Sequence, residues 1–426
     1  VFVFLKSRMS DPAFVFCNIE FNDDSMTKSQ MLLLLALLTA FPPLSTDMYL
    51  PAIPLLEQTW GEPLTVINLT LVGFFISYCV FLLIYGPVSD RFGRRPPLLA
   101  GVGLFILAGL LCAVSDSVVA LIVSRILQGA GAAAASALSL AICKDVYRPG
   151  ERARILAWIG VIMALAPALA PIIGGWLMLW LSWRWIFVAQ SLVAAIAWIG
   201  VLRMPETLKE PTTTGIAQTA GIYLHLFRNR RYLGLAVMMS LVVLPHFAFI
   251  AGSADIYISH LGLNEQTFGY FFAINAMALM AGSLLCTRLL KVIGSWRVMA
   301  LGFAGFFAGG ILLLSHILPG PWGLALPMGL VTLSLGLTRP PSNNLVLEQV
   351  DQHAGAASSL LIFIFFILGA FSMWLISLDW SDKVGVIGIL SSSVGGLLLL
   401  LWLLLPGRLT GKKIQETQPE AVEKCA

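Results

Sequence analysis

Apolar runs of about 20 residues recur from Met31 to Leu405, separated by short polar breaks. As a helix, a run of that length crosses about 30 Å of hydrocarbon. Backbone N–H and C=O groups cannot stay unpaired in lipid, so only helices or a closed barrel can span it. The runs lack the ten-residue alternation of barrel strands. Composition agrees, with 58% of the 426 residues apolar and 11% charged, against about 25% charged in a soluble domain. The fold class is therefore an all-α membrane protein.

The hydropathy pattern predicts twelve helices, over 31–55, 66–87, 98–116, 118–142, 153–180, 184–203, 232–258, 267–290, 297–317, 322–347, 355–378 and 384–405. The polar segment 204–231 splits them six and six. The expected organisation is an N-terminal extension (1–30, with no signal-peptide pattern), a first six-helix bundle (31–203), a central loop (204–231), a second bundle (232–405) and a tail (406–426). Lys and Arg gather in cytoplasmic loops. With the N-terminus inside, the inner loops carry Arg91, Arg94, Arg95, Lys144, Arg148, Arg152, Arg154, Arg228, Arg230, Arg231, Arg288, Lys291, Arg297, Lys412 and Lys413, and the outer loops Arg184 and Lys383. Extension, central loop and tail are then cytoplasmic.

Trp176, Trp180, Trp183 and Trp185, with Trp322, Trp374 and Trp380, fall near outer helix ends, as an interfacial belt would. The six cysteines are scattered, without a CxxC pair or metal-ligand spacing, and read as buried thiols. The basic residues are dispersed over many loops, which does not suggest nucleic-acid binding. A weak internal repeat pairs Gly86 with Gly282 and Gly93 with Gly294, each followed by a basic turn. Parallel half-repeats are a transporter architecture.

Three stretches carry a mechanism. "GPVSDRFGRRPPL" (86–98) combines Gly86, expected to end a closely packed helix, with Gly93, suited to a tight turn. Asp90 with Arg91, Arg94 and Arg95 could tie neighbouring helix ends together by charge-assisted bonds and hold one conformation of a two-state device. "LIVSRILQGAGAAAA" (121–135) places Arg125 inside an apolar helix. "GVIMALAPALAPIIGGWL" (160–177) holds Pro167, Pro171, Gly174 and Gly175, which bend a helix and let a neighbour approach. In this order the stretches resemble the loop, fourth-helix and fifth-helix antiporter signatures of the major facilitator superfamily. "PLSTDMYLPAIP" (43–54), "CKDVYRPGER" (143–152) and "AGAASSL" (354–360) are similar to its bicyclomycin/chloramphenicol-resistance branch of drug–proton antiporters. The resemblance covers about 30–405. It implies two pseudo-symmetric six-helix bundles, and a fifth-helix bend that seals against proton leak. It departs from the family where Ala166–Pro167 and Ala170–Pro171 replace Gly-Pro pairs.

Asp47 is the costly residue. Counted from Met31 it lies about 24 Å into the span, where a charge costs roughly 2.5–3.5 kcal/mol. Arg125, about 27 Å from the inner end of its helix, falls at similar depth. The two are expected to share one polar network, the arginine favouring the ionised carboxyl and burial the neutral one. They are the expected proton-coupling pair. Met48 and Tyr49 flank Asp47 as expected substrate contacts. Arg339, Asn343 and Asn344 in "LTRPPSNNLVLE" are cavity candidates in the second bundle. Asp255 and His246 are weaker ones, His246 being more readily a packing residue.

The sequence holds no P-loop, zinc motif or catalytic triad, and its polar segments are too short for a catalytic domain. It reads as a secondary transporter without cofactor, driven by a proton gradient. The expected role is a monomeric, multi-pass exporter of drugs or other small amphipathic molecules in a bacterial inner membrane, with a small-molecule drug, the proton and the bilayer as partners. The alternative is a facilitator or proton symporter for a sugar or organic anion.

Overall fold

The structure is a computed structural model, and it describes residues 26–208, 216–350 and 354–404. The expected tail, Lys412 and Lys413, and all but the last residues of the N-terminal extension lie outside the described residues.

The secondary structure is helical throughout the described residues. The first span is built in pieces, α1 (Lys28–Thr39), α2 (Phe41–Asp47), a 3₁₀ turn (Leu50–Ala52) and α3 (Ile53–Trp60). Then follow α4 (Leu64–Ile67), α5 (Leu69–Phe92), α6 (Arg95–Ala113), α7 (Val118–Val146), α8 (Pro149–Trp180) and α9 (Arg184–Arg203). The second half holds α10 (Ile216–Arg228), α11 (Arg230–Ser240), α12 (Val243–Ala254), α13 (Glu265–Ser315), α14 (Trp322–Leu347), α15 (Ala354–Ile376) and α16 (Lys383–Leu404). Nine stretches are long and apolar enough to cross a membrane, or ten with the bent pair Arg230–Ser240 and Val243–His260. With the two arms of α13 and with α14, the twelve predicted spans are accounted for.

Local chemistry explains the breaks. Thr27 and Gln30 form a reciprocal capping box at the start of α1. Proline lacks an N–H and is tolerated in a first helical turn. Pro42, Pro51 and Pro54 each open a new segment there, so the predicted continuous helix 31–55 is instead a jointed one. It also runs on to Trp60 before Gly61 stops it at φ +64°. Asp47 therefore lies about 28 Å from Lys28 and about 20 Å from Trp60, nearer mid-span than the sequence suggests.

The predicted helices 267–290 and 297–317 run together through Gly294, whose φ of +76° and ψ of 164° break the path. Gly93, at φ +91° and ψ 164°, turns the chain in the same way between α5 and α6. That half of the repeat is real in the backbone. The other half is not. Gly282 lies against the Leu333 backbone, whereas Gly86 faces open space and is interior to α5, so it neither ends nor tightly packs its helix.

The central segment is not all loop, because α10 lies within it. Its Leu226 is buried while Leu224 and Phe227 are exposed, and its Tyr223 hydroxyl donates to the Leu83 carbonyl at 3.5 Å. Of the tryptophans read as a belt, Trp183 is instead buried, edge-on to Trp60 at 5.7 Å; the other six are exposed.

α5, α6, α7 and α9 pack as neighbours, as do α13, α14 and α16. Contacts between the halves gather toward the end carrying Gly61 and Gly262. Asn68 donates to Ala251 O at 3.2 Å and to Ser377 Oγ at 2.7 Å. Ala168 and Ile172 of α8 cluster with Ala273 and Ala276 of α13. Phe75 and Tyr78 meet Phe366 at 5.5 and 5.1 Å near mid-span.

Candidate functional site

α2 carries Asp47 as its last residue, and the carboxyl is 5% exposed. The Thr46 hydroxyl lies 2.9 Å from Asp47 Oδ1 and 3.0 Å from the Pro42 carbonyl, and its single proton can serve either acceptor. No cation is paired with Asp47 among the described residues.

Arg125 is fully buried on α7. Its guanidinium donates to Ser45 O at 3.0 Å and Gln128 Oε1 at 2.6 Å. It also lies over the rings of Phe74, Tyr49 and Phe187 at 4.4, 5.2 and 5.8 Å, an arrangement that replaces part of the lost hydration. Its Nε and one terminal nitrogen have no partner. Gln128 passes the chain to Gln190 at 3.1 Å, and Gln190 donates to Leu44 O at 3.1 Å. Asp47 and Arg125 meet the same short helix, α2, without a direct bond between their side chains. The arginine grips the backbone of α2 two residues earlier, because helical geometry turns Ser45 O toward α7. Gln190 and Ser45 were not legible as members, since a lone Gln in α9 and a backbone carbonyl leave no spacing signal.

Tyr49 is sealed in this core, its hydroxyl 3.1 Å from Thr70 Oγ1, and Met48 is buried with its backbone against Gly174. Neither lines a described cavity, because the jointed helix points both inward to α5, α7 and α8.

There α11, α14 and α15 enclose a cavity of about 130 Å³ lined by Arg339 and Asn343 with Ser240, Ser342, Ser358 and Phe365. Asn344 is exposed but outside that lining. A second cavity of about 280 Å³ lies at the loop end, beside His260, His316, Asp382 and Lys383. Asp255 belongs to that end. It opens a π-helical turn (Asp255–His260) and bonds Lys383 at 2.5 Å and His260 at 3.4 Å, so it is a tied structural acid. Lys383, read as an outer-loop charge, is mostly buried there.

At the opposite end, Arg94 joins three helix ends. It reaches Asp90 at 2.5 Å, Asp145 at 2.9 Å and Ser89 at 2.7 Å. Asp145, within "CKDVYRPGER", is the partner the motif reading passed over. Arg91 is exposed, 5.3 Å over Phe92, and Arg95 donates to Leu202 O. Glu206 accepts from the N–H groups of Arg94, Arg95, Thr207 and Leu208 at 2.8–3.0 Å. Burial pushes this carboxyl up, but the four donors outweigh it and hold it below the usual range.

α8 passes Pro167 and Pro171 without ending. Gly174 meets the Met48 backbone and Gly175 the Glu265 backbone of the other half. One helix thus touches the Asp47 joint and the inter-half seam on adjacent residues.

Residues 35–373 match the family model described as Major Facilitator Superfamily. An uncharacterized MFS-type transporter YdgK of Bacillus subtilis (strain 168) is 30% identical over 85% of this chain and 93% of its own. A bicyclomycin resistance protein homolog of Haemophilus influenzae is 30% identical over 80% of this chain and 86% of its own. Among solved structures, a D-xylose-proton symporter superposes with a TM-score of 0.72 over 91% of this chain and 99% of that one. At 16% identity this is a likeness of fold alone.

Proposed function

The chain belongs to the major facilitator superfamily, and we propose that it is a proton-coupled exporter of drugs or other small amphipathic molecules. It is a multi-pass membrane transporter related to drug-resistance proteins. The orientation rule puts both termini in the cytoplasm of a bacterial cell, and the seam at the Gly61 end then closes the outer side.

The observation that carries the reading is Asp47, a mid-span carboxyl with a hydroxyl for a partner and no paired cation among the described residues. Ionised, it accepts the Thr46 proton. Protonated, it can donate to Thr46 Oγ1, whose own proton then turns to Pro42 O. Both forms are satisfied, as a group that is loaded and unloaded each cycle requires. Arg125 fixes the backbone on which the acid sits, a positioning role. The halves rock about the central space, and the charge state of Asp47 is sensed by α8 through Gly174.

In everted vesicles holding a preset pH gradient, a transported drug should dissipate the gradient. Asp47→Asn should abolish that response while keeping wild-type expression and thermal stability. Full drug-driven dissipation by the variant refutes the assignment.

A further inference from the structure

We propose that the Arg339 cavity is an anion-selective subsite, so that the preferred cargo is an amphipathic molecule bearing a carboxylate or similar anion next to an aromatic body. The inference deepens the exporter reading and rests on it.

Arg339 sits on α14 about 25 Å from one end and about 12 Å from the other, well inside the span. Its guanidinium lies 4.1 Å over the Phe365 ring and forms no hydrogen bond or ion pair among the described residues. Arg125 and Asp255, by contrast, are held by bonded partners. The cavity's remaining polar lining is neutral, from Ser240, Ser342, Asn343 and Ser358, and the rest is apolar, Phe365 included. His246, whose Nδ1 is buried without a partner, lies outside this lining. A guanidinium so placed matches a carboxylate in geometry and charge. A cationic drug would meet repulsion in a poorly screened site. At about 130 Å³ the cavity is smaller than the 300–1,000 Å³ of a whole drug site, so it seats one end of a ligand. Phe365 supplies the flat wall for a ring beside the charge.

The test is equilibrium binding to the purified full chain in a neutral detergent, with three probes matched in body, 2-naphthoate, 2-naphthamide and 2-naphthylmethylammonium. The naphthoate should bind at least tenfold more tightly than the ammonium. Arg339→Gln should cut that preference at least tenfold, Arg339→Lys should restore part of it, and Arg339→Glu should invert it. A wild-type preference for the cation, no naphthoate binding, or an equal loss of all three probes in Arg339→Gln would overturn the proposal. So would displacement of naphthoate by phosphatidylglycerol, which would give the site to a lipid headgroup. Binding needs no gradient, so the two readings fail separately. Selective naphthoate binding without pH-gradient dissipation in vesicles removes the exporter and leaves the anion site. Dissipation by cations, indifferent to Arg339→Gln, does the reverse.

Discussion

Glu206 gathers the backbone N–H groups of Thr207 and Leu208 beside it and those of Arg94 and Arg95 at the start of α6, where the helix dipole also favours a negative charge. It holds the turn at Gly93, where φ is +91° and an added Cβ would run into the Glu206 carboxylate. Arg94 leaves that turn to reach Asp90 and Asp145, so the carboxylate organises the whole end of the first half. Because its titration is held below the usual range, its stabilisation is full above the unfolded value. It fades only as pH falls through the lower folded one. Glu206→Gln should cost about 1–2 kcal/mol near pH 7. In thermal unfolding the deficit should stay constant down to about pH 4.5 and shrink below it. A deficit that instead widens on acidification contradicts the assignment.

α8 is the element in which small residues matter most. Gly174 leaves no room between itself and the Met48 carbonyl, and backbone cannot yield as a side chain can. Gly174→Ala should therefore destabilise by about 1–3 kcal/mol, read as a lower Tm. It should also reduce drug-driven proton movement, since it pushes on the residue beside Asp47. Gly160→Ala, on open ground in the same helix, should do neither. The contrast shows what the sequence could disclose. Apolar runs located every span, and the depth of Asp47 and Arg125 followed from counting along them. Which glycines are crowded was not legible, because Gly86 and Gly282 look alike until their neighbours are placed. The joints of the first span were likewise hidden, since prolines mark a break without saying whether the chain continues. Asp145 and Glu206 lay in readable polar stretches, but nothing in their spacing pointed at Arg94.

At the scale of the molecule, the two halves hold together at one end through few polar and many small contacts. Asn68 spends both amide hydrogens on Ala251 and Ser377, and Gln266 donates to Gly175 O at 3.4 Å. The apolar contact is the patch of Ala168, Ile172, Ala273 and Ala276. Alanines there give close approach without the interdigitation that would make parting slow. On the proposed rocking of the halves this seam must open. In a background without other reactive thiols, Ala168→Cys with Ala276→Cys should cross-link under mild oxidation. The linked protein should lose drug-driven dissipation of the pH gradient, and reduction should bring it back. Arg339-dependent binding of 2-naphthoate should survive the link, because that cavity lies within the second half and away from the seam. Transport at the full rate by fully linked protein would mean that this seam stays shut throughout the cycle, and that the halves do not alternate about it.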